Sequence, residues 1–581
     1  MKQFKDPIYG YIDIPRDIVS KIIDTPEFQR LRYIKQTSYL PVYSAALHNR
    51  FIHSLGVYFL GRKASCALYR NSKQIIEEYS DINIKFFFEL ACLLHDVGHA
   101  PFSHSGEDFY IDKDKTIFNK LIDVVNDSEF KEDVQYYHSN GKTAAPHEIM
   151  SVIVSLKQFE SFFYDEHERS FFARCITGYK YRDAETNIKH SLLNAFITLL
   201  NSTTIDVDRL DYLIRDAFVM GYNSISIDYN RLLNSVLLVK IEDSMEHSPI
   251  QLAYHKSALS VIENVIYAHD SEKKWIQNHP VIQYEVFLIQ QLLSYVKSKY
   301  KKVTGIELFS LETLLPTDDN ASFDIPSFIN VKSSFESIEE LIKNKDLGKE
   351  ISEKMEILKM QLHILDTPLK ISLLCDDDII YLAKKDNHIF AKELFNRSIR
   401  RHPIWKSESE YKICLDGFIG NESYDDLQSQ IKILKKFLDE EAPLPIINND
   451  AIEFCKKKLE YIPQSDFSEA NKADMEHRYS LLLRWLNAFK RIKEKHNLKE
   501  FEFVIVPTTN FESGFKKEDL SKTLIYFSDN NKTYTLNKLV NLFKVQNTER
   551  HDFFYVYYKR SVGERIDSIQ AGKEIARLVL E

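Results

Sequence analysis

Apolar residues recur at helical spacing from Ile18 to Tyr69, with breaks at Pro26 and Pro41, and Thr25 before Pro26 reads as a helix start. The densest apolar run, Phe86 to Val97, carries Glu89 and the pair His95-Asp96 within it, which predicts a buried helix bearing polar groups. Buried polar groups demand partners, so chemistry is to be sought there first. The stretch from Ile111 to Gly141 is rich in Lys, Asp and Asn and predicts a surface loop or small helices; helical spacing resumes at about His147, Ser191 and Asp206. Between Leu308 and Pro326 the periodicity fails, which bounds a first domain over 1–310 and a helical C-terminal lobe over 327–500. The tail changes period: FEFVIV (501–506), TLIYFS (523–528) and FFYVYYK (553–559) cluster β-formers around an Asp529-Asn530-Asn531 turn, so 501–581 is expected to form a small α+β appendage. The expected fold is mainly α, with an all-helical core.

Composition narrows the class. At 581 residues the chain exceeds a single core, and its low counts of Gly (15) and Pro (16) favour helices over disorder. A formal charge of −9 argues against a general nucleic-acid-coating surface while leaving room for a local basic pocket; the charged run Lys490 to Lys499 reads as a solvated face, with a nucleic-acid groove as its alternative. Six scattered cysteines without a CxxC pair suggest neither a disulfide framework nor a zinc ribbon. The start MKQFKDPIYG has no apolar signal region, and no apolar run is long enough for a bilayer span, so a soluble cytoplasmic protein is expected, with no membrane partner.

The dipeptide His-Asp occurs at His95-Asp96, His269-Asp270 and His551-Asp552, so alone it says little. Only His95-Asp96 closes an apolar helix, FFFELACLLHD, and Gly98, His99 and His104 follow directly. Two buried ionisable neighbours call for a compensating charge, which a cation supplies. With His53 and Asp208 the set becomes two imidazoles and two carboxylates, suited to Mn, Fe, Co, Ni or Zn. Taken singly, His53 reads as a satisfied core histidine, and Asp208 as a helix N-cap or surface ion-pair partner. Their order and setting together point to one centre. Arg50 stands three residues before His53, and His99 four after His95, so cations and histidines converge where an anionic phosphorylated substrate would sit. Salt bridging is the plain alternative for Arg50 and Arg215.

The extended motifs DPIYGYI, IIDTPEFQRLRYIKQ, HNRFIHSLGV, LLHDVGHAPFSH, APHE and IDVDRLDYLIRD resemble the HD superfamily, and within it the deoxynucleoside triphosphate triphosphohydrolases related to the sterile-alpha-motif and HD-domain protein. The likeness is strong over about 4–220, weak through LCDDDIIYL and AKELFNRSIRR, and faint at VYYKR. It implies an HD-domain core with His53, His95, Asp96 and Asp208 as metal ligands and His99, His104 and His147 over the substrate phosphates. It also implies phosphate binding by Arg50 and by Arg209, which stands where the family has lysine, sugar contacts from Tyr212 and Asp216, and Gln36 near the 3′-hydroxyl. The implied reaction takes a dNTP, with Mg on its triphosphate, to nucleoside and inorganic tripolyphosphate, in nucleotide-pool control or antiviral dNTP depletion. Metal-acidified water would attack the α-phosphorus, and His104 or His147 would protonate the departing 5′-oxygen.

Lys2, Asp24, Gln29 and Arg32 resemble part of a guanine-reading pattern, which implies a GTP or dNTP effector and a homo-oligomer, dimer or tetramer. Their alternative role is to cap and brace the TPEFQRLRYIKQ helix. The chain is expected to lack the sterile-alpha-motif domain, and the segment 261–282 departs from the family's phosphate-binding pattern. Two other readings stay open: an HD phosphodiesterase acting on a nucleotide or oligonucleotide signal, though without a GYP-type motif, and a catalytically quiet nucleotide or nucleic-acid sensor.

Overall fold

Strands β1 (Lys2–Asp6) and β2 (Gly10–Ile14) open the chain as an antiparallel hairpin with Phe4 opposite Ile12. Its turn is held by Asp6, whose Oδ1 accepts from Ile8 N at 2.8 Å and Tyr9 N at 3.0 Å, and Gly10 supplies the positive φ of 82°. The structure, a computed structural model, describes residues 1–38, 40–79, 83–109, 116–222, 226–240, 249–304, 374–385, 388–416, 421–465, 468–508, 517–539 and 553–580. The expected break from Leu308 to Pro326, with the domain boundary it marks, lies outside the described residues, as do Ile111 and the His551-Asp552 pair.

The fold is mainly α. Its contacts divide into two units, Met1–His269 with Ile289–Asn387 and Phe515–Lys544, and Asp270–Leu288 with His388–Gly514 and Val545–Glu581. In the first unit, α1 (Arg50–Asn71) starts at Asn49, whose side chain accepts from Ile52 N, and packs along α2 (Ile84–Leu94), capped likewise by Asn83. Around them lie α3 (Pro146–Gln158), α4 (Glu166–Thr177), α5 (Ile188–Leu200), α6 (Val207–Met220) and the short α7 (Tyr229–Asn234). The buried run Phe87 to Leu94 thus folds as the sequence predicts, and the polar excursion contains the helices Thr116–Val125 and Ser128–Ser139.

The core departs from the all-helical expectation in carrying β-structure. Beyond the hairpin, β3 (Val236–Lys240) and β4 (Ile250–His255) pair antiparallel, and Leu524–Phe527 adds to β4 in parallel, followed by Lys532–Thr535. The β-branched and aromatic residues of these short segments outweigh their helical surroundings. The tail strands therefore distribute over both units, because Phe503–Thr508 and Phe553–Tyr558 pair antiparallel within the second. That unit also contains the helices Asn421–Glu440, Asn449–Tyr461 and Glu469–Lys495. Among the described residues no helix is long and apolar enough to cross a membrane, and all six cysteines are free.

Candidate metal centre

Three helix ends of the first unit bring the predicted ligands together. His53 lies in the first turn of α1, His95 caps the C-terminus of α2 with Asp96 after it, and Asp208 lies in the first turn of α6. Capping of α6 falls to Asp206, whose Oδ1 accepts from Arg209 N at 2.7 Å, which leaves Asp208 free to point elsewhere. His53 Nε2 is 3.0 Å from Asp208 Oδ1 and 3.3 Å from His95 Nε2. Asp96 lies 3.6 Å from His53 Nε2 and 3.5 Å from His95 Nε2.

Both imidazoles are oriented from behind. His53 Nδ1 sits 2.7 Å from Asp211 Oδ2 and His95 Nδ1 3.0 Å from the carbonyl oxygen of Cys92, so each Nε2 turns toward the shared point. Burial disfavours charge on His53, but Asp208 and Asp211 outweigh it and push its pKa up to about 9. Burial would raise the Asp96 carboxyl, yet Arg50, His95 and His53 hold it well below the usual range. Two carboxylates converging on this point need positive charge, and together with the two ring nitrogens they suit a divalent cation of the borderline class. The residues fit such an ion. The Asp208 side chain, 38% exposed, leaves the centre open to solvent on its own side.

Asp211 belongs to a buried network. Arg215 donates to it from Nε at 2.9 Å and Nη2 at 3.0 Å and to Asp6 Oδ2 at 2.9 Å, while Tyr9 donates its hydroxyl to Asp211 Oδ1 at 2.8 Å. Salt bridging is therefore the role in which Arg215 is found. Gly56, one turn beyond His53, makes the approach possible: a Cβ there would stand 2.0 Å from Asp211 Oδ1.

On the other side of the centre, Arg50 donates from Nη1 to Asp96 Oδ2 at 2.8 Å and from Nε to Ser103 Oγ at 2.9 Å. Gln36 is buried, and its Oε1 has no hydrogen-bond partner. His99 is fully buried with both ring nitrogens unbonded, stacked on His147 at 4.3 Å, and burial together with Arg50 drives its pKa well down. Asp96 Oδ1 stands 3.6 Å from His99 Nε2, beyond hydrogen-bond length; a buried neutral imidazole without a hydrogen bond is costly, and a ligand's oxygen would satisfy it. His104 and His147 share one carboxylate, their Nδ1 atoms lying 2.5 and 2.8 Å from Glu107 Oε1. Burial works against charge on His147, but Glu107 outweighs it and raises its pKa.

No family model matches the chain. The zebrafish (Danio rerio) protein named Deoxynucleoside triphosphate triphosphohydrolase SAMHD1 is 31% identical over 245 residues, which cover 42% of this chain and 37% of that protein. An uncharacterised Bacillus subtilis protein is 28% identical over 299 residues, 51% of this chain and 56% of its own length. The chain thus covers less than two thirds of these relatives' length. A phosphohydrolase of known structure from Bacteroides thetaiotaomicron superposes with a TM-score of 0.51 at 18% identity, over 96% of this chain and 100% of that one, which is a likeness of fold. These likenesses support the chain's resemblance to the HD-domain superfamily.

The candidate centre also gathers residues that the motifs do not single out. Asp211 follows Asp208 at i+3 on one face of α6, and Glu107 follows His104 at i+3, spacings that the sequence displays. Asp376, at the start of α8 (Asp376–Lys385), was not visible as a site residue, since the chain returns to the centre from far along the sequence: its Oδ1 accepts from Phe102 N at 2.6 Å and its Oδ2 from Lys35 N at 3.0 Å. It thereby holds Phe102 and Ser103, non-glycine residues at φ 61° and 54°, in the left-handed turn that leads to His104.

The remaining predicted residues are held by local contacts. Arg209 donates from Nε to the Tyr212 hydroxyl at 3.3 Å and from Nη1 to the carbonyl of Thr204. Asp216 is buried with His48, whose Nε2 is 2.6 Å away. Lys2 Nζ is 3.4 Å from Asp24 Oδ1 at a groove they line together, and Arg32 donates to Gln29 Oε1 at 2.8 Å while lying 3.5 Å over the Phe51 ring.

Proposed function

We propose that the chain is a metal-dependent phosphohydrolase that cleaves a dNTP to deoxynucleoside and inorganic tripolyphosphate. The observation that carries this reading is the placement of the unbonded His99 imidazole and the Arg50 guanidinium beside the convergent His53, His95, Asp96 and Asp208 side chains. These four would hold a divalent ion, with Mn, Fe, Co, Ni and Zn all compatible with the donor set. Such an ion supplies Lewis acidity, neutralising phosphate charge and acidifying water.

The chain's own groups supply the rest. Arg50 and Arg209 offer positive charge to a polyphosphate, whose Mg travels with the substrate. His99, kept neutral by burial, donates or accepts at Nε2 without adding charge. His147, whose pKa Glu107 raises against its burial, is the group to deliver a proton from Nε2 to the departing 5′-oxygen, and His104 is held through the same carboxylate oxygen. Gln36, Tyr212 and Asp216 serve the sugar, Asp216 through its bond to His48. The activity for which the zebrafish relative is named supports the choice of dNTP. Lys2, Asp24, Gln29 and Arg32 serve a nucleotide effector, a role favoured by the shared groove of Lys2 and Asp24.

The test is a product assay: each dNTP and NTP, with and without Mn and GTP, resolving tripolyphosphate from pyrophosphate. Tripolyphosphate from dNTPs, lost in Asp208→Ala, is the expected result. Pyrophosphate alone, or cleavage only of cyclic or oligomeric nucleotides, overturns it.

A further inference from the structure

Beyond its first turn with Arg50 and His53, α1 runs about two and a half turns to a second concavity, a groove of about 360 Å³ between α1, β2 and α7. Tyr11, Phe59, Arg62, Lys63, Cys66 and Arg70 are among its walls. Its three cations have neutral partners only: Arg62 Nη1 donates to the Asp13 carbonyl at 2.8 Å, Lys63 Nζ to Asn230 Oδ1 at 2.8 Å and Arg70 Nη2 to Asn234 Oδ1 at 3.0 Å. Among the described residues none of the three pairs with a carboxylate. The one carboxylate in the lining, Asp13, accepts instead from Gln3 Nε2 at 2.9 Å. The groove therefore carries a surplus of positive charge in a concave, partly apolar setting, which favours an anion with an apolar or aromatic portion.

Size narrows the ligand. Arg62 and Arg70 are eight residues apart, about 12 Å along the helix, enough for one phosphorylated nucleoside and too short for a chain of several nucleotides. Tyr11, 61% exposed with Lys5 Nζ 4.2 Å from its ring centroid, offers an aromatic ring against which a base can stack, and Arg62, Lys63 and Arg70 present donors to phosphate.

The groove also touches the support of the metal centre. Phe59 stacks on Tyr9, with centroids 4.9 Å apart and planes at 25°, and the Tyr9 hydroxyl donates to Asp211, which orients His53. Tyr229 packs edge-on against Tyr9 at 5.4 Å and lies 6.0 Å from Lys63 Nζ. We propose that this groove is an effector site for a phosphorylated nucleoside, read out at the metal centre through Phe59, Tyr9 and Asp211. It is separate from the groove of Lys2 and Asp24, and it stands whether or not the enzyme's substrate is a dNTP.

Cys66 supplies a local reporter, being exposed while Cys92, Cys175, Cys414 and Cys455 are buried and Cys375 is half-buried. In the full-length, metal-loaded protein, ATP with excess Mg is expected to slow alkylation of Cys66 by iodoacetamide at least five-fold at saturation. In Arg62→Gln/Arg70→Gln the concentration for half-protection should rise ten-fold or more, with melting temperature and metal content as controls for folding. Absence of protection in the wild type, equal protection in the double variant, or protection by a single-stranded 12-mer but not by ATP each overturns the site. The coupling is read as the rate of metal release to a chelator: ATP should change it at least two-fold in the wild type and not in Tyr9→Phe, which keeps Cys66 protection. An equal change in Tyr9→Phe overturns the proposed route. These readouts are independent of turnover, so a negative product assay leaves them intact.

Discussion

Asp211 Oδ2 lies 2.7 Å from His53 Nδ1, and both side chains are completely buried. The carboxylate raises the basicity of the ring, fixes which nitrogen carries the proton, and turns Nε2 toward Asp208. Its own burial is compensated by two hydrogen bonds from Arg215, which is compensated in turn by Asp6 of the N-terminal hairpin. Through this chain of pairings the β1–β2 turn, more than two hundred residues from Asp211 in sequence, becomes part of what holds His53 in place.

Asp211→Asn should therefore weaken metal binding by about 10- to 100-fold, measured by competition with a chelator. The same change leaves Arg215 with Asp6 alone, and a buried ion pair broken on one side costs about 3 kcal/mol, which denaturant unfolding will register. Unaltered metal affinity in a folded variant would show that Asp211 is not an orienting partner.

Gly56→Ala tests the same relationship from the opposite helix. Alanine in a helix interior is ordinarily favoured over glycine by about 1 kcal/mol. Here the new Cβ would meet Asp211 Oδ1 at 2.0 Å and Arg215 Nη2 at 2.4 Å, so the sign should reverse. The expected outcome is a lower melting temperature together with reduced metal content; a stabilised, fully loaded variant contradicts the packing described.

Glu107 contacts both His104 and His147, and burial raises its carboxyl while the two histidines together hold it below the usual range. Glu107→Gln keeps the shape but withdraws the charge that favours protonated His147. The turnover number should fall by about 10² or more, the scale of a lost general acid, with KM changed far less. The pH at which activity declines on the alkaline side should also move down. A variant with unchanged kcat and an unmoved profile would remove Glu107 from the proton path.

Much of the centre was legible because its chemistry is encoded locally. The apolar run ending in His95-Asp96 announces a buried helix with ionisable groups at its end, and motif order adds His53 and Asp208. What stayed hidden depends on pairing at a distance. Asp211 and Glu107 sit at helical spacing from predicted residues, yet nothing local says that Tyr9, Arg215 or two histidines will meet them. Likewise Leu524–Phe527 reads as a strand, but its partner β4 is set by tertiary packing and not by its own alternation. Residue type and period identify donors and acceptors; only the fold says which of them are matched.

Asp376 offers the last test, because it stands apart from the ligands and titrates in an accessible range. Burial pushes its pKa up to about 6, against the pull of the Lys35 and Phe102 amides that it accepts from. The folded value thus exceeds the unfolded one, so the folded state binds this proton more tightly. Its contribution to stability is fully present below about pH 4 and is lost as pH rises through about 6, a total of roughly 3 kcal/mol. Asp376→Asn does not titrate. Its amide can accept from one of the two N–H groups but must face the other with a donor, a mismatch worth about 1–3 kcal/mol at every pH. Unfolding of both proteins by urea at several pH values should therefore show the wild type's advantage shrinking between pH 4 and pH 7. A difference that stays constant across that range would mean that the carboxylate is ionised throughout, its two amide bonds having overcome its burial.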